Sequence, residues 1–494
     1  MAVSPAGALV DRFADLSVLV VGEAMLDVYL HGRSQRLCRE APVPIVAVEG
    51  RWDAPGGAAN TAVNARHLGA AVTLLSLVGA DDEGRRLRAA LEARGVRTEH
   101  VVVDPGRRTL TKQRVLAGSH LLLRFDEGST EAPPPRCQRE LGSRLRRLFA
   151  EQQAVIVSDY GYGVCTGRVI SDLAAAQARS PRVVVVDSKT LLAYRDVGPT
   201  AVKPNGDEAL ALLGAGRRPA DSRLRLELIA REGGRLLDLT GAQVAAVTLD
   251  ADGALVFERG RPPYRTYAEP TDHGRAVGAG DTFACALALA LAAGGDVPAA
   301  AEVASAAAAV VVGRQGTATC SAAELRARLA LGDKFCPDTA TLLARLAAHR
   351  EHGRRIVFTN GCFDILHRGH VASLNAAKAL GDVLVVALNT DAGVRRLKGP
   401  GRPINPLEDR VQVLAALSSV DHIVAFDEET PVTLLRQVRP DVFVKGGDYT
   451  RGRLPEAAVV EALGGQIVIL PYVEDRSTTG VIERIRSAAL PGAA

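Results

Sequence analysis

The sequence contains no apolar run near the roughly 20 residues that a membrane-crossing helix needs; stretches such as Ala306 to Val312 stop far short. It also lacks a charge imbalance. Sixty Lys and Arg against 56 Asp and Glu leave +4 over 494 residues, which argues against a nucleic-acid coat, a polybasic membrane anchor or membrane insertion. Local sites for small anions remain open. The seven cysteines form no CxxC pair, so a disulfide scaffold is excluded and a reducing compartment is expected. The opening segment MAVSPAGALVDRFADL has no basic stretch followed by an apolar one; no secretion signal is expected there, and the cytoplasm is the expected location. What is present, 47% hydrophobic and 23% charged residues, suits a chain of two or three domains that buries a substantial core.

Short apolar runs recur along the chain as buried strands between helical stretches. Val18 to Val21, Ala154 to Val157, Val183 to Val186 and Val244 to Leu249 lie in the first part. Ile356 to Phe358, Val383 to Leu388, Asp421 to Val424, Val442 to Val444 and Ile467 to Leu470 lie in the last. Runs apolar on both faces fit sheets covered by helices on both sides. Ala-rich stretches such as Thr282 to Ala292, stopped by Gly294-Gly295, supply helices. Residues 210–240 read as helix plus turn with a solvated face. Two separate α/β domains are expected: residues 1–330, a linker over 331–353, and residues 354–494.

In the second region, Phe358 to His370 reads FTNGCFDILHRGH and passes from a strand into a helical run. His367 and His370, three apart, share one face of a first helical turn, beside free amides that favour anions. Gly369 keeps bulk away from a bound phosphate. A metal set drawn from His367, His370, Cys362 and Asp364 is the weaker alternative, because the spacing is not that of a zinc knuckle. Downstream, Lys398 to Asn405 (KGPGRPIN), Lys445 to Tyr449 (KGGDY) and Arg476 to Thr479 (RSTT) add basic, glycine-rich or hydroxyl-bearing anion sites. Together they point to a polyphosphate substrate.

These motifs, over Arg355 to Ile485, resemble the nucleotidyltransferase half of the bifunctional heptose-phosphate kinase/adenylyltransferases, within the Rossmann-like cytidylyltransferase superfamily. The resemblance implies that His367 and His370 contact ATP phosphates, with Phe363 and Gly369 in the same turn. It implies that Lys398 and Lys445 stabilise phosphate charge, and that Arg476, Ser477 and Thr478 hold the nucleotide. The products it implies are an ADP-sugar and pyrophosphate.

In the first region, Val277 to Thr282 reads VGAGDT and opens the Ala-rich helix. Glycines there admit an anion close to the backbone, and Asp281 is a candidate base for a sugar hydroxyl. Gly56, Gly57 and Asn60 precede another helical pattern, and Asp27 follows the first strand, where open α/β sheets place ligand-facing residues. Residues 16–319, with REAPVPI at Arg39 to Ile45, resemble the ribokinase-like sugar kinases, nearest the heptose-7-phosphate branch. That resemblance implies sugar contacts from Asp27, Gly56, Gly57 and Asn60. It further implies nucleotide-side roles for Asn205 and Glu208, an anion hole over Gly278, Ala279 and Gly280, and Asp281 as the catalytic base. Lys112 and Arg124 are expected on the substrate.

Two departures stand out against that family: Arg275-Ala276-Val277 replaces the acid and hydroxyl before GAGD, and Tyr162 replaces a lysine in Asp159-Tyr160-Gly161-Tyr162-Gly163. The resemblance implies ATP with Mg2+, K+ as a candidate monovalent ion, sugar phosphates as substrates and a homodimer. A separate heptose bisphosphate phosphatase is expected to act between the two steps.

Overall fold

The computed structural model describes residues 5–118, 120–215, 222–268, 278–312, 314, 317–329, 334–447 and 454–470. The chain divides into two compact units: Ala8–Arg328, and Leu329–Ala494 with Met1–Gly7.

The apolar runs of the first unit become the centre of a nine-stranded sheet. Its order is Tyr264–Thr266, Ala254–Glu258, Val244–Thr248, Ala201–Val202, Val183–Ser188, Ala154–Asp159, Ser17–Gly22, Ala71–Gly79 and Val101–Asp104. The first two strands join antiparallel and the rest are parallel. On one face Leu19, Val21, Val155, Val157, Val184 and Val186 pack in a single core with Leu141, Leu145 and Leu173 of the covering helices. The alternate residues Val18, Val20, Ile156 and Val185 are buried as well. Helix Ala279–Ala292 is buried along most of its length and packs against the strands that end at Asp159 and Ser188, which its small alanines permit. Within the stretch read as helix plus turn, helices Ser222–Glu232 and Gly234–Thr240 keep a solvated face and send Ile229, Leu236 and Leu237 into this core.

A second, four-stranded sheet runs in the order Pro44–Gly57, Ala24–Leu37, Thr111–Ala117 and His120–Glu127. Its central pair is parallel and its outer pairs antiparallel. The last of these strands is exposed on both faces, so it shows neither the continuous apolar run nor the clean alternation that reveals a strand in sequence.

In the second unit six parallel strands run in the order Phe335–Cys336, His422–Phe426, Val383–Asn389, Ile356–Gly361, Val442–Gly446 and Gln466–Leu470. From Ile356–Gly361 the chain first builds the sheet to one side and then to the other. The carboxyl end of that strand is therefore a switch point, where open α/β sheets leave a crevice. The segment expected as a linker belongs instead to this unit. Phe335–Cys336 is its edge strand, and helix Thr339–Glu351, capped by Asp338, buries Leu342 and Leu346 in the core. That helix carries His349, whose Nε2 lies 3.0 Å from Nε2 of His422. Burial pushes His422 down to about 4, and His349 is lowered too.

A histidine held neutral in the fold but free to charge near pH 6.5 when unfolded gives stability that is complete above pH 6.5 and is lost as pH falls toward 4. Urea unfolding of the second unit at pH 7 and pH 5 is expected to show this loss, up to about 3 kcal/mol from His422 by pH 4. Replacing His422 with Phe should flatten the dependence.

Candidate active sites

In the first unit Asp281 lies in the first turn of helix Ala279–Ala292 and is buried. Asn60 Nδ2 donates to Asp281 Oδ2 at 2.9 Å and the Tyr160 hydroxyl donates to Oδ1 at 2.8 Å. Burial raises the Asp281 carboxyl, and the two donors partly oppose that shift. Gly278, at φ +89°, caps the helix, and a Cβ there would sit 2.9 Å from Asn60 Nδ2. Glycine at 278 thus lets the amide reach the carboxylate. Lys203 Nζ would stand 3.5 Å from a Cβ at Gly280 and pairs with Asp187 at 3.1 Å. Burial raises Asp187 to about 6 against the pull of Lys203, and Asp281 and Glu208 add to the rise.

Asp27 lies close enough to Asp281 to raise its carboxyl further. It accepts from Arg114 Nη1 and from Thr317 Oγ1, both at 2.7 Å. A Cβ at Gly56 would lie 2.5 Å from Asp27 Oδ2, so the glycine makes room for the carboxylate. Gly57, at φ +58°, then turns the chain into the helix that carries Asn60. Lys112 stands beside Asp27 in strand register.

The structure therefore gathers Asp27, Gly56, Gly57, Asn60, Lys112, Gly278, Ala279, Gly280 and Asp281. Arg124, close enough to feel the charge of Asp27, is held in a two-pronged pair with Asp126. Asn205 and Glu208 cap each other's backbone at the start of helix Gly206–Leu212.

Sequence reasoning singled out the Asp159 to Gly163 segment but missed the residues that hold it. Glu23, fully buried, accepts from the backbone of Tyr160 at 2.7 Å and of Val164 at 2.9 Å. Arg107 donates to the carbonyls of Ser129, Glu131 and Tyr162. An acid one residue past a buried strand and an arginine in a loop carry no motif, so these roles appear only in three dimensions. Among the described residues, the one group of three or more close metal-ligating side chains is Glu23, Asp159 and Cys165.

In the second unit the strand Ile356–Gly361 ends at the switch point, and His367 caps helix Arg368–Lys378. The rings of His367 and His370 stack with centroids 3.8 Å apart, and Phe363 lies 5.1 Å from His370. Phe363 adopts φ +44°, and its ring would crowd any Cβ at Gly361. Burial, then His367 and Lys398, push His370 down to about 4. Lys445, on the neighbouring strand, donates to Asn360 Oδ1 at 2.8 Å and pairs with buried Glu456 at 3.6 Å; burial lowers its ammonium.

The glycine-rich loop after Lys398 is tied to this turn by two buried groups. Asp364 accepts from the backbone of Ile404 at 2.7 Å and of Asn405 at 2.9 Å and pairs with Arg402. Arg410, with no exposed surface on its side chain, donates to the carbonyls of Cys362, Asn389 and Asn405 and to Asp391. Asp364 thus serves the loop rather than a metal set, and Cys362 Sγ contacts Asn389 at 3.7 Å. Phe363, His367, His370 and Lys398 thus lie together at this helix start, and Lys445 is tied to Asn360 at the end of the neighbouring strand. Arg476, Ser477, Thr478 and Arg275 lie outside the described residues.

Comparison with known proteins agrees with both units. The pfkB family carbohydrate kinase model matches residues 15–324, and the cytidylyltransferase-like model matches residues 358–484. The bifunctional protein HldE of Pseudomonas entomophila is 41% identical over 480 residues, covering 96% of this chain and 98% of the relative. That of Geobacter sulfurreducens is 38% identical over 479 residues, covering 96% of each chain. Among solved structures, phosphofructokinase-2 of Escherichia coli matches 63% of this chain and 97% of its own, with a TM-score of 0.51 at 20% identity. The ribokinase of Arabidopsis thaliana matches 64% and 99%, with a TM-score of 0.50 at 19% identity. The last two matches establish the ribokinase-like fold of the first unit. Among the described residues, no helix is long and apolar enough to cross a membrane. With both family models in order along one chain and relatives matched over nearly their whole length, the chain belongs to the HldE family, a bifunctional enzyme of ADP-heptose biosynthesis that joins a carbohydrate kinase to an adenylyltransferase.

Proposed function

We propose that the first unit phosphorylates D-glycero-β-D-manno-heptose 7-phosphate at its anomeric hydroxyl, and that the second joins AMP from ATP to the heptose 1-phosphate. The reading is carried by one pairing within a single chain: a buried carboxylate at one helix start and two stacked histidines at another. In the first step Asp281 takes the proton of the C1 hydroxyl. The oxygen–γ-phosphorus bond forms, the bond from γ-phosphorus to the β-phosphate oxygen breaks, and ADP leaves. Gly278, Ala279 and Gly280 present backbone to the moving charge, while Asp27, Gly56, Gly57 and Asn60 face the sugar. Asn205 and Glu208 lie on the nucleotide side.

A raised carboxyl is a better base than an ordinary aspartate. Removing the Tyr160 hydroxyl takes a stabilising donor from the ionised form, so the carboxyl rises further. Tyr160→Phe is therefore expected to move the acid limb of kcat to higher pH, and any fall in the plateau kcat would report the lost anchoring of Asp281 Oδ1, both read from ADP formation against pH.

In the second step an oxygen of the sugar 1-phosphate, already ionised near neutral pH, attacks the α-phosphorus of ATP; the α–β bridging bond breaks and pyrophosphate leaves. The chain need abstract no proton. Its task is alignment and charge, supplied by His367, His370, Lys398 and Lys445. Arg476, Ser477 and Thr478 are assigned to the nucleotide by family resemblance.

Mg2+ enters with ATP and neutralises phosphate charge. K+ is the monovalent ion to test. The kinase product carries two phosphates, so a separate phosphatase removes the one at C7 between the steps. A homodimer through the four-stranded sheet is supported by its exposed Trp52, Leu121, Leu123 and Phe125. The cytoplasm is the proposed location. A product screen by mass, crossing ATP and CTP with several sugar 7- and 1-phosphates, tests the reading. ATP with the heptose phosphates should give the fastest turnover in both halves, and preference for CTP or another sugar would overturn it.

A further inference from the structure

Most cations around the kinase pocket are already engaged: Arg114 with Asp27, Lys203 with Asp187, Arg124 with Asp126, and Arg107 with three carbonyls. Lys112 and Lys189 differ. Among the described residues neither ammonium has an ion-pair or hydrogen-bond partner; each rests on tyrosine faces instead. Lys112 Nζ lies 6.0 Å from the Tyr162 ring centre and Lys189 Nζ 5.7 Å from it. Lys112 also lies 4.9 Å from the Tyr160 ring, whose hydroxyl donates to Asp281.

We propose that Lys112 and Lys189, with Tyr162 between them, clamp a dianionic phosphoryl group beside Asp281. Two point charges match a dianion without the planar fork that an arginine would impose on a carboxylate. The tyrosine faces hold both ammonium groups while the clamp is empty. Burial lowers the Lys112 ammonium against the pull of Asp27, and an arriving anion offsets that cost. The sequence carries tyrosine at 162 where the kinase family has lysine, and the two flanking lysines supply charge to the same place. The clamp rests on the kinase reading given above. Its ligand is either the γ-phosphoryl group in transfer from ATP to the C1 oxygen or the fixed phosphate of the sugar.

Kinetics of K112M, K189M and the double variant in the full chain distinguish these sources. Each single change should lower kcat/KM about tenfold and the double about 100-fold. A fall in kcat with both KM values within threefold of wild type assigns the transferring group. A rise in KM for heptose 7-phosphate alone assigns the fixed phosphate. Unchanged pyrophosphate release by the second unit and an unchanged melting temperature verify folding. A double variant within threefold of wild type in kcat and both KM values overturns the clamp.

Amine acylation of the wild-type chain, located by mass spectrometry, tests it without turnover. ATP with Mg2+, or heptose 7-phosphate, should protect Lys112 and Lys189 together at least threefold. Protection without kinase turnover would refute the substrate reading and keep the clamp, whereas no protection by either compound would refute the clamp.

Discussion

Asp281→Asn is expected to lower kinase turnover at least 10³-fold, roughly the upper part of what a positioned general base supplies, while pyrophosphate release by the second unit stays at the wild-type rate. The substitution keeps size and shape but cannot accept the sugar proton. Asn60 and Tyr160 hold the native carboxylate from both oxygens, so the reacting oxygen's position is fixed before substrate arrives. Binding should survive the change. ADP formation with heptose 7-phosphate, beside unchanged KM values for ATP and sugar, checks the prediction; a variant with more than a tenth of wild-type kcat would remove Asp281 from the role of base.

His370→Ala is the reciprocal case and is expected to lower pyrophosphate release by about 10² to 10³-fold, the range seen when one preorganised donor to a developing anion is removed. In the free protein His370 is held near 4, hence neutral at pH 7. A bound triphosphate draws its pKa upward, so the side chain becomes a stronger donor when charge accumulates on the leaving group. The stacked His367 keeps the ring in place. Kinase turnover should be unchanged. Continuous pyrophosphate detection with ATP and heptose 1-phosphate measures the effect, and a wild-type rate would move the catalytic burden to Lys398 and Lys445.

Parts of both candidate sites were legible where glycine-bearing segments open helices: GGAAN, GAGD and HRGH stand at the starts of helices Ala58–His67, Ala279–Ala292 and Arg368–Lys378, where free amides suit an anion. Four strands of the nine-stranded sheet announced themselves as apolar runs such as Val183 to Val186. The four-stranded sheet did not, since exposure on both sides of His120–Glu127 erases the pattern on which the reading relies. The helix Thr339–Glu351 fell in a segment read as a linker, although Leu342 and Leu346 fix it to the core. Glu23, Arg107 and Arg410 act through backbone groups far away in sequence. Long-range bonds of that kind leave no local spacing to read.

The most direct measurement supplies the purified full chain with heptose 7-phosphate and ATP, first alone and then with a phosphatase specific for the C7 phosphate, and follows products by mass. Alone, the chain should yield ADP and heptose 1,7-bisphosphate and stop there; with the phosphatase, ADP-heptose and pyrophosphate should appear. ADP-heptose formed without the phosphatase, or no bisphosphate at all, would contradict the two-step account.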